Sequence, residues 1–283
     1  MPDRSGGPTA WDGEAYVAQS SHHRRFDDWF LASHPPRADD DIVDVGSGSG
    51  EFTGRLAACA PQGTVIGVEP DPSMLATARG QVSADHVEFR QGSAQALDEV
   101  VAVSSADLVV SRSVFHWIPL ADYLRCYRAI YRVLRPGGRF HAESAGTGNV
   151  RRIVELMDPI AQRYGLGPAE VTFPDVATVL ELLEQAGFEV PEQGVRTIAQ
   201  RRAFDRDSLR GFLETQAAVA YLGGVDEEQR ASSSRRSSPG STNSDVTTAP
   251  TIRPSCDSTY CVDARYHPPD GGAHRTSSQG RPG

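Results

Sequence analysis

The sequence predicts an α/β protein built on a doubly wound, mainly parallel sheet with helices on both faces. Three observations point there. Short apolar, β-branched runs alternate with helix-like stretches through the first half of the chain. Three glycines at alternate positions, Gly46, Gly48 and Gly50, stand where the first run hands over to a helix. An acid, Glu69, closes the second run about 20 residues later.

The elements follow in order. Residues 16–30 put Tyr16, Val17, Phe26, Trp29 and Phe30 on one face of a helix. Residues 42–45 form the first strand, and a helix starts at Glu51. Strands over 65–68, 87–89, 108–110 and 139–142 alternate with helices from Pro72 and over 123–133. Helices of this length between strands mean crossover connections and parallel pairs. Farther on, 176–186 reads as a helix, 188–199 as one or two strands, and 207–221 as a last helical pattern. Pro136-Gly137-Gly138 reads as a turn that reverses helix into strand.

Composition narrows the function. With 283 residues the chain can bury a sizeable core. Its 28 basic residues are all arginine, the mark of a GC-rich bacterial gene. Without lysine, P-loop phosphate binding, Schiff-base chemistry and lysine-dependent hydride transfer are excluded. The formal charge of −9 offers a nucleic acid no overall attraction, so a small molecule is the expected partner. No run of about 18 or more apolar residues occurs, and no export signal opens the chain, so the expectation is a cytoplasmic protein with no membrane partner. Four cysteines without C-x-x-C spacing or a His/Cys cluster suit a reducing compartment and predict no metal site. Cys59 and Cys126 read as buried structural thiols. Nothing in the sequence separates a monomer from a homodimer.

The glycines of D-V-G-S-G-S-G permit positive φ and let a ligand approach the backbone, and Glu69 is placed to accept hydrogen bonds from two ribose hydroxyls. A dinucleotide site wants G-x-G-x-x-G. Here the third glycine position holds Thr53 counted from Gly48, or Glu51 counted from Gly46, which weakens a pyrophosphate reading. The alternating spacing, with Asp44 two residues before the first glycine, resembles instead the first motif of the class I S-adenosylmethionine-dependent methyltransferases.

The resemblance continues through TVIGVEPDPSML (64–75), VEFRQGSAQAL (87–97), ADLVVSRSVFHWI (106–118) and RVLRPGGRFHAE (132–143), in order and at family spacing. The nearest flavour is the branch that resembles trans-aconitate and juvenile-hormone-acid methyltransferases. The resemblance implies a Rossmann-like fold and S-adenosyl-L-methionine as cofactor. It implies cofactor contacts from Asp44, Gly46, Ser47, Gly48, Gly50, Glu69, Pro70, Met74, Ser93, Ala94 and Ser111. Many relatives carry Asp where Ser93 stands, so the adenine amino contact is weaker here or comes from elsewhere. Tyr16, His116 and Trp117 fall on the substrate side. The implied reaction is methyl transfer to a small acceptor, a carboxylate or hydroxyl oxygen.

A carboxylate acceptor is ionised at neutral pH and needs no base. A hydroxyl acceptor needs one, and His116, at the mouth of the fourth strand, is the candidate; packing beside Trp117 is the equal alternative. Ser111 and Ser113 share that strand end, and their sidedness stays open. His22, His23, Arg24 and Arg25 read first as a solvated helix face, and second as cations that hold an acidic substrate. Two other readings stand beside the enzyme: a homologue that binds the cofactor without turnover, and a nicotinamide-dependent dehydrogenase.

The domain plan is a disordered N-terminus (1–15), a cofactor-binding unit (16–145), its C-terminal continuation (146–230) and a disordered tail (231–283). From Ser232 onward there is no Leu, Phe, Met, Trp or Glu. One back-translation, read in another frame, gives a helix followed by a strand, which suggests a frameshift near Ala231. On that reading the family's final antiparallel strand is lost, with an exposed sheet edge, lower stability and impaired turnover as consequences.

Overall fold

The computed structural model describes residues 23–202, 206–213, 217–222 and 255–266. Five parallel strands are β1 (Ile42–Val45), β2 (Val65–Glu69), β3 (Val87–Gln91), β4 (Ala106–Arg112) and β5 (Leu134–Ala145). Between them run α2 (Glu51–Cys59), α3 (Pro72–Gln81), the short α4 (Leu97–Val100) and α5 (Tyr123–Val133). Ahead of β1 lies α1 (His23–Ser33). After β5 come α6 (Arg151–Arg163), α7 (Val176–Ala186), β6 (Phe188–Glu189), β7 (Val195–Arg202), α8 (Arg206–Phe212), α9 (Val219–Leu222) and β8 (Ser255–Tyr266).

The strands are ordered β3-β2-β1-β4-β5-β8-β6, with β7 also paired to β8. Strand order reverses between β1 and β4, and ligands of open α/β sheets bind outside the carboxyl ends of strands at such a point. β1 is buried at all four positions, as a central parallel strand covered on both faces must be. The larger core joins β1, β4 and β5 to α5 and α7 through Val43, Val109, Tyr127, Phe140 and Leu183. On the other face Phe30, Leu56, Val65 and Val110 pack α1 and α2 down. No described helix is long and apolar enough to cross a membrane.

The expected elements from β1 to β5 are present, the helix expected over 16–30 is described only over 23–33 because 16–22 lie outside the described residues, and four details differ. β5 begins before the Pro-Gly-Gly turn: Leu134 pairs with Ala106, the ladder slips, and Arg139 then pairs with Leu108. Cys59 is exposed because it ends α2 on the solvent side, whereas Cys126 is buried as expected. α6 has no counterpart among the sequence-predicted elements. Within the last helical pattern the described residues include the short helices α8 and α9, and 214–216 lie outside the described residues.

The largest correction concerns the tail. The final antiparallel strand is not lost: β8 lies between β5 and the β6/β7 pair, antiparallel to all three. Thr259, Tyr260, Cys261, Val262 and Ala264 are buried. A strand covered on both faces needs a continuous buried run rather than alternation. Thr259-Tyr260-Cys261-Val262 is such a run, concentrated in β-branched and aromatic residues that suit a pleated surface. The serine, proline and glycine around it dilute the signal when the tail is read as one composition. The other tail residues, 223–254 and 267–283, lie outside the described ones, as do residues 1–22.

Candidate active site

At the carboxyl ends of β1 and β4 a cleft opens to solvent, with Asp44, the loop from Gly46 to Glu51, and Phe52 on one side and Asp27, Arg112 and Ser113 on the other. The glycine loop takes its shape from three left-handed residues: Gly46, Gly48 and Gly50 have φ of 74°, 53° and 82°. At Gly50 a Cβ would meet the Cβ of Ala78 and the Phe89 ring at 2.9 Å, so that glycine is also a packing requirement. At Gly48 a Cβ would meet nothing within 4 Å, because this residue faces the open cleft. A backbone left bare on that side is what close approach of a ligand requires.

Glu69 braces the loop from the neighbouring strand. Its Oε2 accepts the Gly48 backbone N–H at 2.9 Å, and its Oε1 accepts that of Asp71 at 3.0 Å. Each carboxylate oxygen keeps a second lone pair for a donor on a ligand. Burial pushes the Glu69 carboxyl up, and the two backbone donors pull it back. The Pro70-Asp71-Pro72 segment is fixed because Asp71 caps α3, its Oδ1 accepting from the N–H groups of Ser73 at 2.9 Å and Met74 at 3.0 Å. The Gly92 N–H donates to the Glu69 carbonyl, which sets Ser93 and Ala94 beside the same strand end.

Asp44, at the root of the loop, accepts the Thr53 hydroxyl at 2.6 Å. Burial lifts its pKa to about 7; the Thr53 hydrogen bond opposes the shift and the Glu69 charge adds to it. Arg112 lies across the cleft, ion-paired with Asp27, 3.8 Å from Glu143, and over the Phe52 ring at 4.9 Å. The cleft is therefore lined by three acids, Asp27, Asp44 and Glu51, against one guanidinium, with Asp27 paired to Arg112 and Arg55 and Asp44 about half ionised near pH 7. Glu51 also stands in the first turn of α2, where it already complements the helix dipole. Such a lining suits a cationic ligand and disfavours a pyrophosphate.

The structure thus gathers Asp44, Gly46, Ser47 and Gly48 at the cleft, with Gly50 as the N-cap of α2 and Glu69 in contact through Gly48. Met74 is buried in α3, and Pro70 is exposed in the preceding turn. Of the two serines, Ser113 lines the cleft, while Ser111 is fully buried and donates to the Val45 carbonyl at 3.1 Å. Tyr16 and His22 lie outside the described residues, and of the side chains of His23, Arg24 and Arg25 nothing is described. Asp27, Phe52 and Arg112 are additions that the sequence did not single out. A charged residue at a strand's carboxyl end was the available signal for Arg112.

His116 sits beyond Ser113, in the 3₁₀ turn Phe115–Trp117. The Ser144 hydroxyl meets its backbone N–H at 3.0 Å and its ring Nδ1 at 2.9 Å. Burial lowers the His116 pKa to about 4, so the ring is neutral at pH 7. Its neighbour Trp117, 5.0 Å away between ring centroids, joins Met157, Leu166 and Val171 in an apolar cluster under α6 and α9.

A family model described as a methyltransferase domain matches residues 43–142. Trans-aconitate 2-methyltransferase of Deinococcus radiodurans is 38% identical over 104 residues, which cover 37% of this chain and 37% of that protein. Demethylmenaquinone methyltransferase of the same organism is 34% identical over 172 residues, which cover 55% of this chain and 69% of that protein. The YcgJ protein of Bacillus subtilis shares the fold with a TM-score of 0.58 at 17% identity, over 87% of this chain and 100% of that one.

Proposed function

The chain belongs to the class I S-adenosylmethionine-dependent methyltransferases, and from that premise we propose that it methylates an oxygen of a small molecule, a carboxylate first among acceptors. The observation that carries the reading is the acid excess of the cleft beside a bare glycine backbone and Glu69. When bound, S-adenosylmethionine supplies an activated methyl group on a sulfonium cation. Glu69 holds the ribose hydroxyls through its remaining lone pairs, and Gly46, Ser47 and Gly48 let the ligand lie against the chain. Asp44 and its acidic neighbours favour the positive end. The same lining argues against a nicotinamide dinucleotide, so the dehydrogenase reading falls away.

The acceptor side rests on Ser113, His116 and Trp117 at the end of β4 and on the apolar cluster that Trp117 joins. Such walls orient an acceptor and exclude water, and orientation alone can contribute about 7–11 kcal/mol to a displacement. The Deinococcus relative is named for trans-aconitate, a carboxylate, and that name supports a carboxylate here. Impaired turnover followed from a missing strand, and with β8 in the sheet that reason no longer stands. The test is calorimetric titration with S-adenosylmethionine beside labelled-methyl transfer to a panel of small carboxylic acids and phenols. Absence of cofactor binding overturns the cleft; binding with no labelled acid or phenol overturns the acceptor.

A further inference from the structure

Away from the cleft, the antiparallel register sets His141 of β5 opposite Asp263 of β8, and the end of α1 brings His34 over them. The ring centroids of His34 and His141 are 4.3 Å apart, and His141 Nδ1 is 3.4 Å from Asp263 Oδ1. One donor atom from each of the three side chains lies within 4.8 Å of the other two. His34 is 7% exposed and His141 4%, yet the Nδ1 atoms of both are buried without a hydrogen-bond partner. The Phe30 carbonyl accepts the His34 backbone N–H at 3.0 Å and lies close enough to the ring to favour its protonated form, while the ring Nδ1 itself has no hydrogen-bond partner. Buried polar atoms are seldom left so, and two beside one carboxylate ask for a shared partner.

We infer that His34, His141 and Asp263 form a binding site for a divalent first-row transition ion such as Zn²⁺. Two imidazoles and one carboxylate are ligands of the right type and number for tetrahedral zinc with a fourth position left to water. Asp263, with its side chain 30% exposed, gives the ion a way in from solvent. Arg139, Arg196 and Arg265 add positive charge nearby, which lowers the affinity below that of a closed structural zinc site; Arg139 is neutralised in part by Asp40. The ion ties α1, near one end of the chain, to β8, near the other, and a brace that closes so long a loop gains most from chain entropy. The site is independent of the methyl-transfer reading.

Titration of the full chain with Co²⁺, followed by visible absorption, tests the site, with thermal unfolding in Zn²⁺ and in chelator alongside. The expected result is a saturable four- or five-coordinate Co²⁺ band, displaced by Zn²⁺, and a midpoint that rises with Zn²⁺. In Asp263→Asn, which keeps the size of a partly exposed side chain, and in the His34→Gln/His141→Gln double variant, the band and the shift are lost. Other histidines and cysteines stay in both variants and serve as the control. No saturable band in the unaltered protein, or a band that both variants keep in full, overturns the site.

Discussion

Ser144 on β5 and Tyr260 on β8 stand opposite one another in the antiparallel ladder, and the same Ser144 hydroxyl binds both the backbone N–H and the ring of His116. A strand from the end of the chain therefore reaches the candidate base through one side chain. Tyr260 is also packed in the main core with Tyr123 and Tyr127. Tyr260→Ala removes a fully buried ring, and such truncations cost about 3–5 kcal/mol. Tyr260→Phe keeps the volume and removes a buried hydroxyl that has no hydrogen-bond partner, so its cost stays below about 1 kcal/mol. Urea unfolding reads both. A Tyr260→Ala variant as stable as the parent would show that β8 is not in the sheet.

Glu69 braces Gly48 whether or not a ligand is bound, so its replacement acts on both the loop and the ligand. Glu69→Gln retains acceptor capacity on one atom and places a donor against a backbone N–H on the other. A charge-assisted hydrogen bond contributes roughly 1.5–3 kcal/mol, so affinity for S-adenosylmethionine should fall about 10- to 100-fold. Calorimetric titration measures it. Unchanged affinity would separate Glu69 from the cofactor.

The glycines make a paired test. Gly48→Ala meets no atom, so only its positive φ resists, at roughly 1–2 kcal/mol, and the variant folds. The added methyl group projects into the cleft and weakens cofactor binding. Gly50→Ala carries the same backbone penalty plus contacts at 2.9 Å with Ala78 and Phe89, so its loss appears as a lower unfolding midpoint. Equal stabilities for the two variants would contradict this division of roles.

Asp44 links the site to pH. Its folded-state pKa of about 7 lies above the ordinary value near 4 for an unfolded chain. The stability it contributes is present in full below about pH 4 and is lost as pH rises through about 7. Unfolding of the apoprotein at about pH 5 and about pH 8 should show that loss, and Asp44→Asn should lack it. A cationic ligand favours the ionised carboxylate, so cofactor affinity should rise across the same window in the parent and stay flat in the variant.

Much of this was legible in the residues, for a physical reason. β1 to β5 are short apolar runs divided by amphipathic helices, and the glycine loop with Glu69 is local in sequence, so period and spacing reveal both. What stayed hidden depends on partners distant in the chain. β8 is an ordinary apolar run in a polar tail, and only the pairing with β5, more than a hundred residues away, marks it as a strand. α6 carries Pro159, which reads as a helix breaker, yet the helix runs on through it and buries Ala161 against the cluster around Trp117. The side of the sheet taken by Ser111 and Ser113 follows from a left-handed kink at Ser113, φ 55°, which spacing does not show. His34, His141 and Asp263 share no motif at all.

His116 separates the two acceptor classes. With its pKa lowered to about 4 by burial, the ring is unprotonated at pH 7, and its folded-state stability is present above about 6.5 and lost as pH falls toward 4. A phenol or alcohol acceptor must lose a proton in the displacement, and a positioned base contributes up to about 10²- to 10⁴-fold, the lower end applying to a ring whose pKa of about 4 makes it a weak base at pH 7. His116→Gln should therefore lower kcat by that factor for a hydroxyl acceptor, with the acid limb of the parent's profile near pH 4 rather than near 6.5. For a carboxylate acceptor, which arrives ionised, the same variant should leave kcat within a few fold and act on KM alone. Ser144→Ala, which frees the ring without removing it, should give a smaller loss of the same kind. A carboxylate substrate whose kcat collapses in His116→Gln would mean that the histidine touches the reacting atoms in some way other than proton removal.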